Sequence, residues 1–155
     1  MTPIDRWSTS VLDGVEALEG GLLPTFLAPL EHLEGRIPSH LPGAWVTLVG
    51  ERLTFQLGLL AEFVTLELIT SNMIGKYGDL TDLDITDAVT EIVNVISGVA
   101  KRAVVDQDPV LRTGMPMFLF GSMRLPSGVE QRLFRLRTDA GEILLVTVAD
   151  AKEPM

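Results

Sequence analysis

The sequence predicts an α/β fold made of two β-hairpins, two long helices between them and a further helix at the N-terminus. Three observations predict it. Two pairs of apolar, β-branched or alternating runs, Ala44–Val49 with Leu53–Leu57 and Leu133–Arg137 with Glu142–Ala149, are each split by a few turn-forming residues, which is the pattern of hairpins. Between the pairs lie two apolar-rich stretches, Leu59–Ile69 and Asp87–Lys101, that are too long for single strands. A chain of 155 residues with 46% hydrophobic content closes one core, so residues 1–155 read as a single domain, with 1–43 as N-terminal helix and connection and 44–150 as the core.

In chain order, Thr2 is a cap ahead of Pro3, and Ile4, Trp7, Val11, Val15 and Leu18 recur at helical spacing up to Gly20-Gly21. Residues 22–43 hold Pro24, Pro29, Pro38 and Pro42 and read as a packed connection without lasting regular structure. The first hairpin follows, turning at Gly50-Glu51-Arg52. Leu59–Ile69 reads as a buried helix, and residues 72–84, with Gly75, Gly78 and several aspartates, as a loop whose end offers Asp84 or Thr86 as a cap. Asp106-Gln107-Asp108-Pro109 closes the next helix, and 115–120 is a strand after the bend at Gly114-Met115-Pro116. The second hairpin turns at Thr138–Gly141.

Charge narrows the partners. Twelve Lys and Arg stand against 21 Asp and Glu, a net charge of −9 that repels both nucleic acid and anionic membrane surfaces. With no cysteine there is no disulfide, thiolate metal site or thiol nucleophile. No basic-headed apolar leader and no run of the ~18 apolar residues of a membrane span is present, so the expectation is a cytoplasmic protein.

The candidate site lies on the helix over 87–101. At about 100° per residue, Val89, Ile92, Ile96, Val99 and Ala103 form one apolar stripe, and Asp87, Glu91, Asn94, Gly98 and Lys101 form the opposite face. Glu91 and Asn94, three apart, can approach one target together. Gly98 leaves a low patch one turn further on, open to a partner's backbone, at a cost of about 1 kcal/mol in helix propensity.

A helix reading Glu-x-x-Asn, then an apolar residue, a small residue, Gly and a basic residue across Glu91–Lys101 resembles the active helix of the CheC/CheX/FliY family of chemotaxis phosphatases, most closely its CheX branch. The resemblance extends more loosely from about residue 43 to about 150, with Pro116 and Gly121 where that family has a proline-containing strand. It implies a CheX-like domain, an antiparallel sheet packed by two long helices plus the N-terminal helix, with pseudo-symmetric halves that no sequence repeat reveals. It further implies a phosphatase that hydrolyses the aspartyl phosphate of a CheY-like response-regulator receiver domain, in chemotaxis or other two-component signalling. Carried over, Asn94 orients the attacking water and Glu91 pairs with the receiver's lysine, both as catalytic residues, while Asp87, Gly98 and Lys101 bind the partner. No cofactor of its own is implied; Mg²⁺ is expected on the phosphorylated receiver. A homodimer is implied too. The alternative is a non-catalytic module of the same fold that docks a receiver or another signalling partner.

Two features depart from that pattern. Val93 and Val95 flank Asn94 with more bulk than the family carries, an expected obstacle to insertion. A second Glu-x-x-Asn is missing from the preceding helix, where Glu62 and Glu67 are followed three residues later by Thr65 and Thr70, so one site at most is expected. Elsewhere His32 and His40 lack a third ligand for a metal, Asp79, Asp82, Asp84 and Asp87 lack the spacing of a Ca²⁺ loop, and Arg124, Arg132, Arg135 and Arg137 read as a solvated strand face.

Overall fold

The computed structural model describes residues 1–38, 40–121, 125–126 and 128–151. Among these, three helices and seven strands occur in the order α1 (Pro3–Ala17), β1 (Glu31–Leu33), β2 (Gly43–Val49), β3 (Leu53–Ala61), α2 (Phe63–Ile74), α3 (Asp82–Val104), β4 (Arg112–Thr113), β5 (Met117–Leu119), β6 (Glu130–Thr138) and β7 (Gly141–Ala151). The strands form one sheet in the order β1-β6-β7-β3-β2-β4, with β5 also on β2, and every pairing is antiparallel. Both hairpins form as expected.

One face of the sheet carries Val46, Leu48, Phe55, Leu57, Leu136, Ile143 and Leu145 against the helices. The other carries Trp45, Leu60, Leu133, Leu144, Val146 and Val148, and it too is covered, by Leu41 with half-buried Leu33, Ile37 and Val129. Strands buried on both faces have no polar side to show, which is why 143–149 is apolar almost without interruption. Gly58 makes one of these packings possible: a Cβ there would stand 2.8 Å from ring atoms of Trp45.

The same burial explains one mistaken boundary. Leu59, Leu60 and Ala61 belong to β3, paired with Leu145, Leu144 and Ile143, and not to a helix as the sequence suggested. A short apolar run buried on both sides has no period that separates strand from helix. The helix begins only at Phe63 and runs into the start of the supposed loop, ending at Ile74, where Gly75 adopts φ 70° and its N–H returns to the Ser71 carbonyl. A second omission is β1, a three-residue edge strand inside the proline-rich connection. It has little apolar pattern of its own, and it is held to β6 by the ladder and by Glu31, which accepts from Arg135 at 2.6 Å.

The N-terminal helix is no appendage. Thr2 and Asp5 form a reciprocal capping box around Pro3. Trp7 stacks on Phe55 with ring centroids 4.9 Å apart and donates Nε1–H to the Gln56 carbonyl at 2.8 Å. Ser8 shares a 2.7 Å hydrogen bond with Thr147 on β7. Further along, Gly14 lies against Ile96 and Val99, so α1 and α3 pack directly on one another.

The halves are pseudo-symmetric. The hairpins β2–β3 and β6–β7 meet at the central β3–β7 pair, β1 from the first half joins β6, and β5 from the second joins β2. Correspondingly, α1 packs over β7 and β6, and α3 over β2 and β3.

Candidate functional site

The helix that presents the site is longer than its sequence pattern suggested, running from Asp82 to Val104. Its cap is Thr81, not Asp84 or Thr86: the Thr81 hydroxyl accepts from the Asp84 N–H and the Asp84 carboxylate accepts from the Thr81 N–H, each at 3.0 Å. Those bonds, the one from the Thr81 N–H foremost, hold the Asp84 carboxyl below the ordinary carboxylate range. The signal for this cap, Thr81-x-x-Asp84, was present in the sequence.

The buried face consists of Ile85, Ala88, Val89, Ile92, Val93, Ile96, Ser97, Ala100 and Val104. Val89, Ile92 and Ile96 stand where the stripe placed them, but Val99 is 37% exposed and Ala103 is exposed, while Ala100 and Val104 take the inner positions. α1 runs alongside the helix, touching it at Ile96 and Val99 and, through Arg6, at Ala103, so the edge of the predicted stripe stays outside while Ala100 and Val104 turn inward.

Opposite that face, Asp87, Glu91 and Asn94 are exposed, and Gly98 and Lys101 are half-exposed. Among the described residues no hydrogen bond or ion pair engages the Glu91 or Asn94 side chain, so both are free to meet a partner. Three residues apart, they are offset by about 4.5 Å along the axis and roughly 60° around it. A Cβ on Gly98 would meet nothing within 4 Å, so that spot is open as expected. Nearby hydroxyls are already committed: Thr90 donates to the Thr86 carbonyl at 2.7 Å and Ser97 to the Asn94 carbonyl at 3.0 Å.

The expected obstacle beside Asn94 is not there. Val93 is 0% exposed and belongs to the core, because adjacent residues on a helix point about 100° apart. Val95 is half-buried. Each points about 100° away from Asn94 around the helix.

The pseudo-symmetry also moves the place where a second site would lie. The partner of α3 across the halves is α1, not the α2 region holding Glu62 and Glu67. Matching the buried positions Ile4, Trp7, Val11 and Val15 to Val89, Ile92, Ile96 and Ala100 sets Arg6 and Thr9 where α3 has Glu91 and Asn94. Arg6 is occupied elsewhere, donating to the Ala103 carbonyl at 2.9 Å and pairing with Asp106 at 3.0 Å.

The other candidate groups stay apart from this face. His32 lies on Phe134 with ring centroids 5.3 Å apart, and His40 lies 3.7 Å from Glu62. Arg135 pairs with Glu31 and Arg132 lies 3.8 Å from Asp5; Arg124 falls outside the described residues. Among the described residues no group of three metal-ligating side chains converges, and no helix is long and apolar enough to cross a membrane.

No family model matches the chain, and no curated protein matches it. Solved structures do. A CheC-like superfamily protein from Shewanella sp. PV-4 superposes with a TM-score of 0.77 at 16% identity, covering 97% of this chain and 99% of that one. CheX from Desulfovibrio desulfuricans matches with a TM-score of 0.70 at 16% identity over 94% of this chain and 97% of that one. A chain of the CheX–CheY–BeF₃–Mg²⁺ complex from Borrelia burgdorferi matches with a TM-score of 0.69 at 17% identity, over 98% of this chain and 99% of that one. The chain therefore has the fold of CheC-like and CheX proteins, as the helix motif implied.

Proposed function

We propose that the protein is a phosphatase for the aspartyl phosphate of a CheY-like receiver domain, working in chemotaxis or related two-component signalling. The observation that carries this reading is the pair Glu91 and Asn94, exposed together and unengaged on α3, in a fold shared with a CheX that is seen in complex with CheY, BeF₃ and Mg²⁺. Burial of Val93 supports it, because the Asn94 amide is unobstructed.

In this mechanism α3 lies across the receiver's phosphorylation site. The Asn94 amide accepts from and donates to a water, holding its oxygen in line with phosphorus. Water oxygen bonds to phosphorus as the bond to the aspartate oxygen breaks; the carboxylate leaves with the electron pair, and inorganic phosphate carries away the protons of the water. Glu91 engages the receiver's lysine and so fixes the pose. The receiver's own Mg²⁺ neutralises charge on the phosphoryl oxygens. Phosphoryl transfer passes through a loose transition state, so a positioned amide is sufficient equipment, and ideal orientation is worth up to roughly 7–11 kcal/mol of barrier. Asp87, Gly98 and Lys101 complete the contact surface, with Gly98 admitting the partner's backbone. The same reading places the protein with its receiver in the cytoplasm and includes a homodimer joined at a sheet edge; Met115, Met117 and Phe120, exposed around β5 at the β4–β5 edge, support such a contact.

The test is dephosphorylation of purified receivers from the same genome, phosphorylated and held in Mg²⁺. Wild-type protein shortens the phosphate lifetime of at least one of them. Asn94→Ala lowers kcat with little change in binding, and Glu91→Ala chiefly weakens the complex. Binding without any change in phosphate lifetime would leave the docking-module function in its place.

A further inference from the structure

The exposed face of α3 extends beyond Glu91 and Asn94. Asp87, Asn94 and Lys101 follow at seven-residue intervals, each step about 10 Å along the axis and about 20° around it, so all three stay within about 40° of one another. Leu83, in the first turn, stands on the same line and is 67% exposed. From N- to C-terminus the line thus reads apolar, acidic, amide, basic. From Leu83 to Lys101 it is about 27 Å long, close to the diameter of a small domain.

Helix electrostatics explains only part of this order. Asp82 and Asp84 in the first turn and Lys101 and Arg102 in the last complement the helix dipole. Asp87 lies past the first turn, where that benefit has faded, and it sits three residues from Asp84 and four from Glu91. Like charges at these spacings destabilise a helix. Lys76 lies 3.9 Å from Asp84, but among the described residues Asp87, Glu91 and Lys101 take part in no ion pair. A cation supplied from outside relieves the repulsion at one end, and an anion answers Lys101 at the other.

We propose that this line fixes the direction in which a receiver domain lies along α3: the partner brings a basic group bordered by apolar side chains to Asp87 and Leu83, and an acidic group to Lys101, on either side of the phosphorylated aspartate. The inference rests on the receiver reading and adds to it a basis for choosing among receivers, by the charges that flank their phosphorylation sites. Leu83, Asp87 and Lys101 are docking residues and leave the chemistry to Asn94.

The experiment uses the receiver that wild-type protein dephosphorylates fastest, with kcat and KM measured in Mg²⁺ and Kd measured against the beryllofluoride-loaded form. Asp87→Lys and Lys101→Glu each raise KM and Kd about fivefold or more while kcat stays within about twofold, and both flatten the dependence of Kd on salt. Leu83→Ala raises KM several-fold and Leu83→Met restores it. The four variants change three positions outside the core, so thermal melts remain at the wild-type temperature, separating a docking loss from a folding loss. If KM and Kd are unchanged in these variants while wild-type protein is active, the directional line is refuted and the phosphatase reading stands. If wild-type protein neither binds nor dephosphorylates any receiver tested, both fall.

Discussion

Truncating Ile96 to alanine separates the inner face of α3 from the outer one by energy alone. Ile96 is fully buried, at the crossing with α1, where Gly14 lies against it. Removing three carbons forfeits about 2.4 kcal/mol of transfer free energy, at about 0.8 kcal/mol per buried methylene. The vacated space adds up to roughly 2 kcal/mol more, since the two helices are tied to different strands and close the gap only in part. Ile96→Ala should therefore cost ~2–5 kcal/mol. Asn94→Ala, two residues earlier and in solvent, should stay within about 0.5 kcal/mol of wild type, on the stabilising side if helix propensity alone acts. Urea midpoints at unchanged slope measure both. Equal losses in the two variants would refute the assignment of faces, and so would a cost at Val99→Ala as large as at Val104→Ala, since only Val104 is fully enclosed.

Gly98→Ala should raise stability by roughly 0.8–1 kcal/mol, because the added methyl meets nothing, whereas Gly98→Phe should leave the fold intact and abolish receiver dephosphorylation; melts and phosphate release check the two halves. Gly58→Ala should destabilise by ~1–3 kcal/mol, since Trp45 is packed where the methyl would stand, and near-UV circular dichroism should report the displaced indole. Asp108, buried beyond the end of α3, accepts from the Arg52 and Leu53 amides at 2.8 and 3.1 Å, which hold its carboxyl below the usual carboxylate range. The stabilisation it provides is fully present above the unfolded pKa of about 3.9 and is lost as pH falls through the lower folded value, so Asp108→Asn should be less stable than wild type at pH 7 and converge with it in acid.

What the sequence made legible divides by physical cause. The α3 face was readable because polarity there follows a single period, and Glu91 and Asn94 came out where that period put them. The last two turns were misread at Val99 and Ala103, since a narrow stripe of single positions does not show which side of it the neighbouring elements cover, and here they cover Ala100 and Val104. Leu59–Ala61 was misassigned because double-sided burial erases alternation. The edge strand β1 left almost no trace, its pairing being set by β6 and by the Glu31–Arg135 ion pair across 104 positions of sequence. The role of Val93 was the least legible of all. Its bulk looked like an obstruction when counted as a neighbour of Asn94 in sequence, and it proved to be core once direction around the helix was included.

The fastening of α1 to the end of α3 has a consequence for what the fold can become. Arg6 occupies the position across the pseudo-twofold from Glu91, and its guanidinium holds the Ala103 carbonyl and the Asp106 carboxylate. Rewriting Arg6 and Thr9 as glutamate and asparagine would recreate the motif on the second helix. It would also set a carboxylate against the negative end of α3 and against Asp106, loosening the helix that carries the first site. One half of the molecule serves as the brace for the other, so doubling the motif requires a new brace first.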